Sequence, residues 1–142
     1  MKLRSAILSV AASMTLAGSP WAQDAVAEGL RVDLNALATS QKGCAFIFVI
    51  DNRLARSVSK ASFELVLFNV AGTVERMVAL DFRDLPQGKT KVRKFDLPGT
   101  KCEDVKRVLI NDSSTCEGEG LTAGACMDGI VTSSSTQVAL DG

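Results

Sequence analysis

The sequence contains no histidine and no tyrosine, and its only tryptophan is Trp21. Histidine is the commonest general base near neutral pH, the usual partner of a serine or cysteine nucleophile, and the commonest zinc ligand. The shortage of Trp and Tyr argues against sugar-binding platforms and against stacking surfaces for single-stranded nucleic acid. We therefore predict a protein that is not an enzyme, with no catalytic residues, no metal site and no cofactor.

A serine nucleophile activated by lysine needs no histidine, and the minimal Ser-x-x-Lys spacing occurs at Ser57 and Lys60. This pair lies in a polar stretch between two apolar segments. Neither a Gly-rich turn nor a helix signal stands there to present a nucleophile. The sequence favours an ordinary solvated loop over a catalytic pair.

Long apolar runs are also lacking, except for one near the N-terminus. Lys2 and Arg4 precede an apolar run over 6–17, and small residues follow it. This layout is typical of a secretory signal peptide, which we assign to residues 1–22, with cleavage between Ala22 and Ala27. Removal of residues 1–22 leaves a single domain, 23–142, in a periplasmic or secreted protein.

The predicted mature chain is close to neutral. It keeps all 16 acidic residues and 14 of the 16 basic ones, so its net charge is −2. Near-neutrality argues against nucleic-acid binding and against a polybasic membrane protein. Because no second apolar run reaches the length of a membrane span, we predict no stable membrane insertion after the signal is removed.

The apolar residues of the mature chain follow a period of two or form short continuous runs, and turn residues separate them. Leu30, Val32, Leu34 and Ala36 are expected to share one buried face. Seven strands are expected: 30–36, 44–51, 63–70, 74–82, 89–97, 105–112 and 129–140. This pattern predicts an all-β, immunoglobulin-like antiparallel β-sandwich, with a partly closed barrel as the alternative.

The segment ELVLFNVAGTVERMVALDFRDLPQGKTKVRKFDL, residues 64–97, resembles the FxLYD type of bacterial extracytoplasmic immunoglobulin-like domain. The residues that stand at the four positions of the FxLYD signature are Leu65, Leu67, Phe68 and Asn69, and the later matches are Gly72, Pro86, Gly88 and Phe95. The resemblance covers about a quarter of the chain. It implies a binding or accessory module without established catalytic residues.

Four cysteines fall in the exported part, and an even count predicts two disulfide bonds in an oxidising compartment. In the expected strand order, Cys44 and Cys102 stand at the starts of two strands that run in the same direction. Cys116 and Cys126 share one connection at the opposite end. We therefore predict the pairs Cys44–Cys102 and Cys116–Cys126, with the acidic residues of the 116–129 loop exposed to solvent.

Two patches are candidates for binding. Lys89, Lys91 and Arg93 fall on one face by alternation and could grip an anionic group, although a solubilising role is the simpler interpretation. Phe95 shares that face, so a bulge near Arg93 or Lys94 would be needed to bury Phe95 while the charges stay exposed. The runs 44–51 and 63–70 are apolar on both faces.

In each of the runs 44–51 and 63–70, one apolar face turns away from the core, and we expect another group to cover it. Ile47 with Val49, or Val66 with Phe68, would occupy that face. A terminal segment of the chain could cover it, and so could a partner protein, a second copy or an apolar ligand.

The function expected from these features is a non-catalytic extracytoplasmic binding or accessory module that engages an envelope or secreted protein. The alternative is a carrier of an apolar or anionic small ligand, with the apolar strands lining a pocket and the basic cluster Lys89, Lys91 and Arg93 at its rim.

Overall fold

The computed structural model describes residues 28–142, so the predicted signal peptide and its cleavage site lie outside the described residues. The described part holds eight β-strands and one short 3-10 turn. The strands are β1 (Leu30–Thr39), β2 (Gly43–Asn52), β3 (Val58–Asn69), β4 (Val74–Leu85), β5 (Thr90–Pro98), β6 (Val105–Glu117), β7 (Val131–Ser134) and β8 (Ala139–Asp141), and the turn is Cys102–Asp104.

The strands form two four-stranded sheets that pack face to face. The first sheet has the order β5-β2-β1-β7 and the second sheet the order β4-β3-β6-β8. The predicted immunoglobulin-like β-sandwich is confirmed. The connection from β4 to β5 crosses between the sheets, so these two strands form neighbouring edges at one side of the sandwich.

The eighth strand arises because the expected last strand, 129–140, divides between the sheets. β7 pairs in parallel with β1, and β8 pairs in parallel with β6. Between them, the Thr136 hydroxyl oxygen accepts a hydrogen bond from the Val138 amide at 3.0 Å. Such local side-chain bonds compete with a continuous strand, and here they accompany the change of sheet.

The core lies between the sheets and is dominated by phenylalanine. The ring of Phe82 lies 5.4 Å from that of Phe48, 5.2 Å from that of Phe63 and 4.9 Å from that of Phe95, measured between centroids. Phe46 is also buried there. Five of the six phenylalanines therefore pack inside, and Phe68 alone lies outside the core.

Register shifts interrupt three of the strand pairs, and those in β1 and β4 change which residues face inward. An extra residue at Asn35 in β1 places Ala36 opposite Ile47 on the outer face, so the expectation that Ala36 continues the buried row is wrong. An extra residue at Glu75 in β4 places Val74 opposite Phe68 on the outer face, although strict alternation from Leu80 and Phe82 would turn Val74 inward.

A second bulge in β4 has Phe82 as its extra residue, and the ring of Phe82 is buried in the core. The next residue, Arg83, has a positive φ of 60°. A bulge adds one residue to one strand of a pair and therefore shifts the alternation beyond it.

Both predicted disulfide bonds are present. Cys44 in β2 is joined to Cys102, just before β6, so this bond links the two sheets at one end. Cys116 near the end of β6 is joined to Cys126 in the following loop. The two bonds indicate a non-cytoplasmic protein, because structural disulfides persist mainly in oxidising compartments.

A bilayer-spanning helix is absent from residues 28–142, where the only helical element is the three-residue turn Cys102–Asp104.

Candidate functional site

The outer face of the second sheet carries a cluster of apolar side chains. Val66 in the central strand β3 is paired with Met77 in β4 on one side and with Leu109 in β6 on the other. In the next row, Phe68 is paired with Val74 in β4. Because directly paired residues point to the same face of a sheet, these five side chains form one surface, which we call the outer apolar patch.

The patch is exposed at its edge and covered at its centre. Val74 and Met77, both on the edge strand β4, are 54% and 57% exposed. Val70, just beyond the end of β3, is 70% exposed. Val66 is buried, since its neighbours on both sides shield it. A cluster of this kind differs from the isolated apolar side chains that are common on protein surfaces, and such clusters mark interaction sites.

Two features of the sequence build the patch. Strand β3 is apolar on both faces, so Leu65 and Leu67 point into the core while Val66 and Phe68 point outward. The bulge at Glu75 then turns Val74 outward beside Phe68. Two-sided apolarity was visible in the sequence, whereas the bulge was not.

Phe68 is held in place by a cation. The guanidinium carbon of Arg107 lies 3.8 Å from the centroid of the Phe68 ring. Arg107 also donates from Nη1 to the Asp141 carboxylate at 3.1 Å. This arrangement covers one side of the ring and engages the charge of Arg107 within the chain.

The outer face of the first sheet also carries apolar side chains, but charged residues interrupt them. Ile47 and Val49 are half-buried there, with Ile47 paired to Ala36 and Lys94 and Val49 paired to Val92 and Asp33. Val92, on the edge strand β5, is 59% exposed. In the second sheet, by contrast, Val66 has apolar partners on both sides, Met77 and Leu109.

The basic residues of β5 do not form one exposed patch, because Arg93 points inward and is only 9% exposed. Arg93 donates from Nε to the Phe82 carbonyl at 2.6 Å and from Nη2 to the Asp84 carbonyl at 2.8 Å. The pairing of β2 with β5 is continuous, so the bulge considered near Arg93 or Lys94 is absent.

Of the basic neighbours of Arg93, Lys91 shares the carboxylate of Asp84 with Arg93, whose Nη2 lies 3.3 Å from that carboxylate, and Lys89 does not. Lys91 Nζ is 3.7 Å from the Asp84 carboxylate, and Lys89 is exposed in the turn before β5. Arg93 therefore joins the two edge strands β4 and β5, and the structure gives its guanidinium internal partners instead of a ligand.

Ser57 and Lys60 are not brought together. Ser57 lines an open depression with Arg56, Gln87 and Glu119, and its hydroxyl oxygen accepts a hydrogen bond from the Gln87 amide at 2.9 Å. Lys60 is not among the residues that line this depression.

One carboxyl group has a shifted pKa. Burial raises the pKa of Asp33, but hydrogen bonds from Ser133, Ser135 and Asn35 lower it by more, so the pKa lies below its ordinary value. The Ser133 and Ser135 hydroxyls donate to Asp33 at 2.8 and 2.9 Å. These contacts tie the segment at β7 to β1.

The fold and the disulfides define a disulfide-linked, two-sheet β-sandwich protein with an apolar outer face on its second sheet. Comparison with models of known protein families, with curated proteins and with solved structures gives no match for the chain. The similarity of residues 64–97 to FxLYD-type domains, which spans β3, β4 and β5, stays a prediction.

Proposed function

We propose that this protein is a non-catalytic extracytoplasmic binding or accessory module that engages an envelope or secreted protein through the outer apolar patch. The observation that carries the proposal is the exposure of Val74 and Met77 beside the covered side chains of Val66 and Phe68. Burial of such a cluster by a partner would remove exposed apolar area from water, which favours association.

The shape of the site favours a protein over a small ligand. Small molecules usually bind in concave pockets that surround most of their surface, whereas the patch lies on the outer face of a sheet. Aromatic residues and Met are enriched at protein interfaces, and Phe68 and Met77 supply both. The carrier alternative would need Arg93 at a pocket rim, but Arg93 donates to the carbonyls of Phe82 and Asp84.

The proposed location is the periplasm or the extracellular medium. Its support is the two disulfide bonds together with the signal-peptide pattern of residues 1–22. The similarity to FxLYD-type domains is consistent with an accessory role in that location.

Site-specific photocrosslinking in the native host tests the proposal. A photoreactive p-benzoylphenylalanine would replace Met77 in the patch or, as a matched control, Val92 on the opposite sheet. The two positions are 57% and 59% exposed, and both lie on edge strands. We expect one discrete protein adduct from position 77 and none of that mass from position 92.

An unchanged monomer band from position 77 after irradiation would contradict the proposal. The same set of adducts from both positions would also contradict it, because non-specific collisions depend on exposure alone. Loss of the position-77 adduct in a Val74→Thr background would further support contact through the patch, because Val74 is exposed beside Phe68.

A further inference from the structure

The outer face of the second sheet is divided into an apolar half and an acidic half. Along β3, Glu64 is two residues from Val66 and therefore lies in the adjacent row of the same face, about 7 Å away. Its partner across the strands is Asp112 in β6, and Asn111 is an extra residue in β6 beside this pair. One row further, Asp81 in β4 is paired with Ser62. Three carboxylates thus border the outer apolar patch on one side.

These carboxylates are not neutralised within the described chain. Across residues 28–142, no lysine or arginine forms an ion pair with Glu64, Asp81 or Asp112. The cation nearest to the apolar rows, Arg107, is engaged by Asp141 and by the ring of Phe68.

Lys60, on the same strand as Glu64, stands two rows further from the patch, opposite Glu117. Arg83 in β4 is exposed opposite Ala61 and forms no ion pair with the three carboxylates. The row next to the patch, with Ala79, Glu64 and Asp112, therefore holds two carboxylates and no cation.

The cross-strand pair Glu64–Asp112 has an energetic cost. Like charges directly opposite each other destabilise a sheet, and an isosteric amide at either position would avoid the repulsion. Local rules of this kind are broken mainly at functional sites. The pair is therefore better explained by an external cation than by the stability of the isolated chain.

Hydrogen bonds orient each of the three carboxylates. Glu64 accepts from the Asn111 side chain at 2.7 Å, Asp81 from the Arg83 amide at 2.8 Å, and Asp112 from the Ser113 amide at 2.7 Å. The hydrogen bonds found across residues 28–142 engage one oxygen of each group, so the second oxygen is left to face an incoming donor.

We infer that the occupant of this face is a partner-protein segment that combines apolar side chains with lysine or arginine. This inference rests on the proposed function and names the chemistry of the partner. The apolar side chains would cover Val74, Met77 and the exposed part of Phe68. The basic side chains, one row away, would meet Glu64 and Asp112. Opposite charge at an interface rim raises the association rate and selects among partners that share the apolar contact.

Titration of the intact mature protein with synthetic peptides tests the inference. The probe is a short soluble peptide that carries phenylalanine and arginine. One comparison peptide has glutamate in place of each arginine, and another has serine in place of each phenylalanine. We expect the Phe/Arg peptide to bind at least about tenfold more tightly than either comparison peptide, a difference of about 1.4 kcal/mol. We also expect amide NMR shifts confined to β3, β4 and β6.

Charge-neutral variants locate the contact. Glu64→Gln combined with Asp112→Asn should weaken the binding of the Phe/Arg peptide about tenfold, which corresponds to about 1.4 kcal/mol. It should also reduce the dependence of that binding on salt concentration. Asp96→Asn is the control, because Asp96 is an exposed acid on the outer face of the first sheet. It should leave binding unchanged. Removal of a like-charge pair does not threaten folding, so the double variant is suitable for the test.

Equal binding of the arginine and glutamate peptides would overturn the inference, as would an unchanged affinity of the Glu64→Gln/Asp112→Asn variant. Self-association of the protein that Met77→Gln abolishes would also overturn it, since the occupant would then be a second copy. A discrete crosslink from position 77 that the double variant leaves intact would refute the charge argument and leave the proposed function standing. Absence of that crosslink would instead count against the proposed function.

Discussion

Replacement of Arg93 by methionine should destabilise the protein by about 2–4 kcal/mol. Arg93 makes two short hydrogen bonds, to the carbonyls of Phe82 and Asp84. A hydrogen bond to a charged group contributes about 1.5–3 kcal/mol. The full sum of two is not expected, because both carbonyls belong to the edge strand β4 and can regain water when the guanidinium is removed.

Lys91→Met provides a matched control two residues away on the same face of β5. Lys91 Nζ lies 3.7 Å from Asp84, and its side chain is 35% exposed. An exposed ion pair of this kind contributes about 0–1 kcal/mol. Arg93→Lys should recover only part of the loss, because an ammonium group cannot reach two separated carbonyls as the planar guanidinium does.

Urea unfolding of the oxidised protein, followed by circular dichroism, measures these differences. Equal loss of stability in Arg93→Met and Lys91→Met would refute the account of Arg93 as the link between β4 and β5. A stability of Arg93→Met equal to that of the wild type would refute it as well.

Three further predictions concern other parts of the sandwich. Cys116→Ser with Cys126→Ser should lower the free energy of unfolding by about 3 kcal/mol in the loop-entropy model. Amide hydrogen exchange should rise first over 117–134, and an equal rise throughout the core would contradict this prediction. Asp33 has a pKa below its ordinary value of 3.8, so it stabilises the fold above that pH and the contribution is lost as the pH falls through the folded pKa. Asp33→Asn should therefore reduce the loss of stability in acid, and an unchanged acid-unfolding curve would count against this. Gly43→Ala should lower the free energy of unfolding by about 1–3 kcal/mol, because an added Cβ would collide with the Leu97 carbonyl. Thermal or urea unfolding measures this loss, and a stability equal to that of the wild type would contradict the prediction.

Much of the fold could be predicted because the alternation of apolar residues and the turn residues are local signals. The disulfide pairing followed from strand direction alone, and Cys44–Cys102 and Cys116–Cys126 are the pairs observed. The division of the last strand into β7 and β8 was not predictable in this way. It depends on which sheet offers a free edge, and that is a property of the assembled fold.

The candidate site was only partly visible in the sequence. Val66 and Phe68 were identified because an apolar strand with two apolar faces must turn one of them away from the core. Val74 could not be assigned to the patch from the sequence, because a single extra residue at Glu75 reverses the inward and outward alternation of β4 at Val74.

Arg93 was expected to be exposed because it stands among lysines, but two edge carbonyls across the sandwich provide it with buried partners. Those partners come from β4, so composition and spacing within β5 could not reveal them.

Affinity for the partner identified by crosslinking is the most direct test of the central claim. The variant Met77→Gln with Val74→Thr changes the exposed edge of the outer apolar patch, and Val92→Thr is the control on the opposite sheet. The patch variant should weaken binding by about tenfold or more, because a few side chains carry most of the energy of an interface and Val74 and Met77 are the most exposed apolar side chains of the patch. The control should bind as the wild type does. Equal affinities for the patch variant and the wild type would contradict the assignment of the outer apolar patch as the binding surface.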